Sequence, residues 1–454
     1  MEPPQELIEE KRIEGKPLAP AWYIPSLYFI EGLPNAIVNL MSAVLLKNLN
    51  FDNSIIGLYT SLLYIPWTIK FAWAPLVDLL FTRRRWILVS HLILAFLLVA
   101  QSGAVLNQAG LTIYLVLFAL ISLISATQDV AIDGFYLDVL DKRQQALYVG
   151  VRNASYQTGM LFASGAMVSL AGYWMERAND HQKGMLEGWA LSFGICAGMF
   201  ALATAWHLYS LPKLGAPKRV LNQGEVSKQP WRSQLRHRLA GFFQVFLSFG
   251  QQPRFAVIVL YILIFRMGEA FSMKMAPLFL LDPAVKGGLG ISTAHVGLIY
   301  GTVGVAALLV GGLTGGFLAA KFGLKKCLLP TALFQNSAIL IYWVLGILRP
   351  GLTVVGMAIG LERFAYGVGT AAYTVFLLSV VKTEYRAAHY AIATGLMALG
   401  LVLPGAHSGY LADCMGYQNF FLFSFFSAIP GIICIFYLPI RQNPDPSLPF
   451  NQKR

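Results

Sequence analysis

Charge is scarce in this sequence. Asp, Glu, Lys and Arg make up 12% of its 454 residues, about half of the roughly 25% usual in soluble proteins. That scarcity excludes a soluble enzyme, a disordered chain and a nucleic-acid-binding domain, each of which needs far more polar surface. Cysteine is sparse as well. Cys196, Cys327, Cys414 and Cys434 fall in four separate segments without CxxC spacing, so they form neither a disulfide framework nor a metal site. Catalytic groupings are missing too. His91, His207, His389 and His407 are scattered over different segments, and no serine or cysteine shares a local motif with them. There is no Walker loop, so ATP is not the energy source. An enzyme is not expected. Nor is a cleavable signal peptide, because the stretch up to Pro20 is polar and acidic.

What is present is apolar. Hydrophobic residues make up 56% of the chain and the mean hydropathy is +0.60, enough for twelve bilayer helices at ~20 residues each. Runs between polar breaks place them at 22–46, 54–80, 87–106, 112–140, 147–172, 188–209, 254–281, 293–320, 327–348, 352–381, 388–412 and 418–440. The runs are continuous and lack period-2 alternation, which excludes a β-barrel. The expected fold class is therefore an all-α polytopic membrane protein with two six-helix halves, 22–209 and 254–440. A cytoplasmic N-terminal extension (1–21), a linker (210–253) and a tail (441–454) complete the chain.

Orientation follows from the cations. Of 34 Lys and Arg, 23 fall in the segments on the side of the N-terminus, 5 on the opposite side, and six within spans or at their ends. By the positive-inside rule both termini and the linker are cytoplasmic. This accounts for the net charge of +12 without an acidic partner. Within the linker, Trp231, Leu235, Leu239, Phe242, Phe243 and Phe246 share a helical face beside Arg232, Arg236 and Arg238. The pattern reads as an interfacial helix, with a plain linker as the alternative.

The halves repeat. The stretch 57–86 and the stretch 297–329 are each a span that ends in a short basic turn. The second turn, GGFLAAKFGLKK, resembles the loop signature of the major facilitator superfamily, with Ala320 where an acid is usual. The first copy keeps Asp78, Arg83, Arg84 and Arg85 but lacks the glycines. Such turns place cations on helix C-termini and beside a carboxylate at an inner gate, so Lys321 and Lys325 join these four as gate candidates. Gly311/Gly315, Gly312/Gly316 and Gly356/Gly360 have the small-xxx-small spacing of close helix packing.

Ionisable residues inside spans are costly, so each is a candidate for function. They are Glu31 in span 1, Lys70 beside Trp67 in span 2, and Asp129 and Asp133 after Gln128 in span 4, with Asp138 nearer the inner end. Arg152, Tyr156 and Gln157 open span 5. Arg266 and Glu269 in span 7 are three apart and can pair, with Lys274 two turns beyond Arg266. Glu362 and Arg363 in span 10 are adjacent and are not expected to face the same way. Carboxylates at that depth suit proton uptake and release, and cations suit an anionic substrate. The proton-coupling candidates are Asp129, Asp133, Glu269, Glu362 and Glu31. The substrate-binding candidates are Lys70, Gln128, Arg266, Lys274, Trp67 and Tyr156. The alternative for all of them is structural: they pair with each other and hold the bundle together.

Several stretches together resemble the AmpG-type muropeptide permeases of the major facilitator superfamily, and more distantly the acetyl-CoA transporter family. They include FIEGLPNAI (29–37), KFAWAPLVD (70–78), SATQDVAIDGFYLDVL (125–140), FRMGEAFSM (265–273) and LERFAYGVGTAAYTVFL (361–377). The resemblance implies proton-driven import of N-acetylglucosaminyl-anhydro-N-acetylmuramic acid, with or without peptide, across a bacterial inner membrane by alternating access. It implies no cofactor beyond the proton gradient, a small-molecule amino-sugar substrate, a lipid-embedded monomer and no nucleic acid. The matching positions are Lys70, Gln128, Asp129, Asp133, Glu269 and Glu362. In span 7 the family typically has lysine and aspartate where this chain has Arg266 and Glu269, which changes reach and geometry. The polar extension and a long external loop at 172–188 also depart from the family. Both bear on the cargo, for which acetyl-CoA, a siderophore or a peptide is the alternative. A membrane enzyme or a non-transporting receptor is the rival class.

Overall fold

Within a bilayer, backbone N–H and C=O groups must be satisfied inside the segment, so long apolar runs become helices. The computed structural model describes residues 13–14, 18–74, 77, 81–214, 249–251, 254–380 and 386–439. It contains α1 (Pro20–Asn48), α2 (53–72), α3 (Arg83–Leu106), α4 (Leu111–Val139), α5 (142–177) and α6 (His181–Ser210). After the linker come α7 (Phe255–Leu281), α8 (Thr293–Phe322), α9 (Leu324–Leu348), α10 (Leu352–Ser379), α11 (386–415) and α12 (417–437). All twelve expected spans are thus helical among the described residues. Eight helical stretches are long and apolar enough to cross a membrane, and one of these, Ile392–Tyr437, contains two expected spans. They join at Gly416, whose φ of 73° is the left-handed backbone that favours glycine.

The remaining expected spans are helical but weaker. Helix α2 is broken at 63–64, just before Pro66, because proline has no N–H to donate. Helices α5 and α10 carry polar residues at membrane depth, Arg152 in the one and Glu362 and Arg363 in the other. The only departure from an all-helical fold among the described residues is one two-residue antiparallel ladder. It pairs β1 (Ile13–Glu14) with β2 (Lys213–Leu214), Ile13 opposite Leu214. Asp78, the amphipathic stretch 231–246 and the tail 441–454 lie outside the described residues.

The expected external loop at 172–188 is not a loop. Helix α5 continues through Arg177, and α6 starts at His181, leaving three connecting residues. The Asp180 side chain caps α6 by accepting from the backbone N–H groups of Gln182 (3.0 Å) and Lys183 (3.2 Å). Both helices therefore project beyond the apolar run, which a search for hydrophobic stretches alone does not see. Asp180→Ala is expected to cost about 1 kcal/mol, read as a lower thermal midpoint in detergent. An unchanged midpoint would reject the cap.

Within the first half α1 packs on α5, and α3 on α4 and α6; within the second, α8 packs on α10 and α7 on the α11–α12 stretch; α2 on α11 and α5 on α8 join the halves. Close approach depends on missing side chains. A Cβ on Gly311 would lie 2.1 Å from the Phe364 carbonyl oxygen, and one on Gly315 2.3 Å from that of Val368. Gly312 and Gly316 face open space instead, and Gly356 and Gly360 make only ordinary contact distances. Of the three small-residue pairs, one carries the α8–α10 seam.

The two halves meet at the face opposite the chain termini and linker, here the far face. There Gly57 meets Gly409, Gly172 meets Ala294, and Gly301 meets Ser164. A polar latch seals the same face. Lys47 pairs with Asp282 (2.7 Å) and donates to Asn53 Oδ1 (2.7 Å). Asn53 donates to Asp413 (2.9 Å) and to the Tyr417 hydroxyl (3.0 Å), and Tyr417 donates to Asp282 (2.6 Å). The latch thus ties the start of α2 to the ends of α7 and α11.

Candidate functional site

Two charge clusters lie within the spans, one in each half. In the first, Asp129 and Asp133 stand one turn apart on α4. Lys70, at the end of α2, forms an ion pair with Asp129. Arg152 on α5 pairs with Asp133 at 2.7 Å and lies 4.7 Å over the ring of Tyr28. The Tyr28 hydroxyl in turn donates to Asp133 at 3.3 Å. Glu31 is buried within hydrogen-bond reach of Asp129, and its Oε2 has no partner. Three carboxyls thus face two cations.

This cluster is not sealed. The side chains of Lys70, Asp133 and Arg152 keep 33%, 36% and 31% of their surface, although all three lie well inside the bundle. Charged groups do not spend that exposure on lipid. With the far face latched, the exposure opens toward the terminal face. Trp67 and Tyr156 are half-buried nearby, Trp67 5.7 Å from Tyr64. Gln128 points elsewhere: it is fully buried and neither amide atom has a partner.

The second cluster is drier. Arg266 and Glu269 do not form the ion pair that their spacing allows. Arg266 sits where α7 is interrupted, with φ −94° and ψ 12°, so helical spacing does not apply across it. Its guanidinium instead donates to the Tyr366 hydroxyl and lies 5.2 Å over that ring. Glu269 accepts from Gln335 Nε2 through one oxygen and has no partner for the other. Glu362 and Arg363 correct a second expectation. Though adjacent, they form a buried bidentate pair at 2.7 and 3.2 Å, and Tyr342 donates to Glu362 at 2.8 Å. The long guanidinium stem curls back across the helix turn, covering the ~100° between neighbours. Tyr300 receives the other side of Arg363 at 4.6 Å.

The basic turns are divided in what they hold. Arg83 pairs with Asp138 at 2.8 Å. Arg84 donates to the carbonyls of Leu208 (2.6 Å) and Leu211 (3.1 Å) at the C-terminus of α6, satisfying groups the helix leaves open. Arg85 is exposed. Lys321 packs over Phe317 and Phe322, and Lys325 is exposed, with no ion pair for either among the described residues. Nothing in the sequence marks Gln335, Tyr342 or the latch, and Tyr28 and Tyr366, readable there only as candidate faces for sugar rings, turn out to hold Asp133 and Arg266. The latch partners lie up to 364 residues apart, so no local pattern marks them.

The model of the Major Facilitator Superfamily matches residues 26–281. The chain is similar to the anhydromuropeptide permease of Escherichia coli (strain K12), 28% identical over 416 residues, covering 90% of this chain and 77% of that one. It is similar to a putative transporter AmpG 4 of Rickettsia conorii, 25% identical over 92% of this chain and 96% of that one. Among solved structures it shares the fold of the nucleoside transporter NupG, with a TM-score of 0.65 at 16% identity over 91% and 97% of the two chains. The xylose transporter XylE from E. coli gives 0.62 at 14% over 92% and 96%.

Proposed function

The chain belongs to the Major Facilitator Superfamily and is a multi-pass membrane transporter of a small molecule rather than an enzyme, and from that premise we propose that it imports muropeptides by proton symport. The cargo is N-acetylglucosaminyl-anhydro-N-acetylmuramic acid, bare or with peptide, carried from periplasm to cytoplasm across a bacterial inner membrane. The similarity to an anhydromuropeptide permease supports the cargo. The cation count supports a cytoplasmic terminal face. The observation that carries the coupling is the cluster of Glu31, Asp129 and Asp133 against Lys70 and Arg152, in which Lys70, Asp133 and Arg152 keep about a third of their side-chain surface.

The mechanism follows from charge balance. Three carboxylates against two cations leave one negative charge, and a proton shared between Glu31 and Asp129 neutralises it. A neutral cluster is the one that can pass through a closed, water-poor state as the halves rock. Trp67 and Tyr156 offer flat faces to the sugar rings. Glu269, with one free oxygen, is a second proton carrier, while Glu362, held by Arg363 and Tyr342, is assigned to the fold. The transporter acts as a monomer and needs no cofactor beyond the proton gradient.

The test is uptake of radiolabelled disaccharide into proteoliposomes with the outside made acidic. Accumulation above equilibrium, abolished by a protonophore, is the expected result. Uptake that never exceeds binding stoichiometry would point to a receptor. Concentrative uptake of acetyl-CoA, a siderophore or a peptide, with none of the disaccharide, would replace the cargo and keep the transport.

A further inference from the structure

Among the described residues, most cations within the spans already have a partner. Lys70 and Arg152 are paired with carboxylates, Arg363 with Glu362, and Arg266 is held by Tyr366. Lys274 is different. It pairs with no carboxylate of the described residues, and its ammonium donates only to neutral oxygens, the Thr60 carbonyl at 3.0 Å and Asn39 Oδ1 at 3.5 Å. An ammonium has three protons to give and a full charge that a carbonyl does not cancel.

Its surroundings are built for it. Lys274 belongs to α7 of the second half, while Asn39 and Thr60 belong to α1 and α2 of the first. Gly405 on α11 leaves room for the lysine stem: a Cβ there would lie 3.3 Å from Lys274 Cγ and 2.7 Å from Ser61 Oγ. Ser61 is fully buried, and its hydroxyl has no partner, which is unusual for a buried polar group. Lys274 itself is only half-buried. All these residues sit about two helical turns below the latch. An uncancelled cation and a free buried hydroxyl there converge from the two halves, while the Asn39 amide, whose NH2 donates to Asn35, only steadies the ammonium through its oxygen.

We propose that Lys274 and Ser61 form the subsite for a carboxylate of the cargo and make the transporter select acidic over neutral amino sugars. The lactyl group of a muramic acid and the carboxylates of an attached peptide both have this chemistry. The inference rests on the transport of an amino-sugar cargo proposed above. Because the lysine also bridges the halves, an arriving carboxylate competes with Thr60 for it, so occupancy is felt directly at the closed face.

The experiment uses the full-length protein in proteoliposomes. Uptake of the anhydro-disaccharide is compared with that of the same compound carrying its carboxylate as an amide. Wild type is expected to prefer the acid by about 10- to 100-fold, the range of one charge-assisted hydrogen bond. In Lys274→Gln, which still donates to the Thr60 carbonyl, that ratio should fall to about one through the KM of the acid. Lys274→Arg should keep most of it. An unchanged ratio in Lys274→Gln overturns the subsite. Should wild type carry neither compound, the muropeptide reading fails on its own. Thermal stability in detergent with N-acetylmuramic acid, acetyl-CoA and a dipeptide, each against a neutral analogue, then decides the site. An anion that stabilises wild type but not Lys274→Gln upholds it; one that stabilises both, or none that stabilises wild type, overturns it.

Discussion

Asp129→Asn is expected to turn a concentrating transporter into one that only equilibrates its cargo. With one proton per substrate, each unit of pH difference is worth about 1.4 kcal/mol, or about tenfold accumulation. The variant removes the carboxyl that touches both Lys70 and Glu31, so no proton shared between Glu31 and Asp129 remains to move with the substrate. Accumulation should fall to a ratio of about one, while counterflow, which needs no net proton movement, persists. Lys70 loses its partner in the variant, and a loss of folding would mimic a loss of transport. Thermal stability in detergent and retained counterflow separate the two: a folded, counterflow-competent variant that no longer accumulates cargo is the expected outcome. Gradient-driven accumulation that survives in Asp129→Asn would move the coupling to Glu269 or elsewhere.

Gly301→Val is expected to hold the far face open. A Cβ at this position would lie 2.1 Å from the Ser164 carbonyl oxygen and 2.6 Å from the Gly165 nitrogen, both backbone atoms of α5 in the other half. Backbone cannot rotate away, so α8 must separate from α5. Overpacking of this kind costs about 1–3 kcal/mol, which shifts a two-state equilibrium by roughly 5- to 150-fold. Uptake should drop by a similar factor. The structural readout is a Ser61→Cys probe, buried when the face is closed. It is placed in a Cys414→Ser background because Cys414 is exposed. Impermeant maleimide added from the far face should label the probe only in the Gly301→Val protein. Gly312→Val on the same helix is the control, since a Cβ there meets nothing within 4 Å. Equal labelling in both would show that the glycine seam does not set closure.

Much of the fold is legible in the sequence. Continuous apolar runs mark helices because lipid offers the backbone no partner, and twelve of them survive with ends shifted by a few residues. Shifts are largest where a helix leaves the membrane: the capped start of α6 at Asp180 is polar, and apolar runs cannot report it. Arg83 with Asp138 and Arg84 on the end of α6 were visible as a basic turn because the partners lie close to span ends of known direction.

Pairing inside the spans was not legible. Arg266 and Glu269 have the spacing of an ion pair, yet the interruption at Arg266 turns them to different partners on α10 and α9. Glu362 and Arg363 have the spacing of strangers, yet the arginine stem brings them together.

Read alone, the sequence specifies that the chain crosses a membrane many times as helices and which few charges are left inside. Those follow from solvation, which acts on each segment separately. Only the tertiary structure decided which face is closed and which charges are spent on each other. It also decided which cation, Lys274, remains uncancelled between the halves. Those depend on contacts between helices hundreds of residues apart, where a missing Cβ or a single bent helix changes who meets whom.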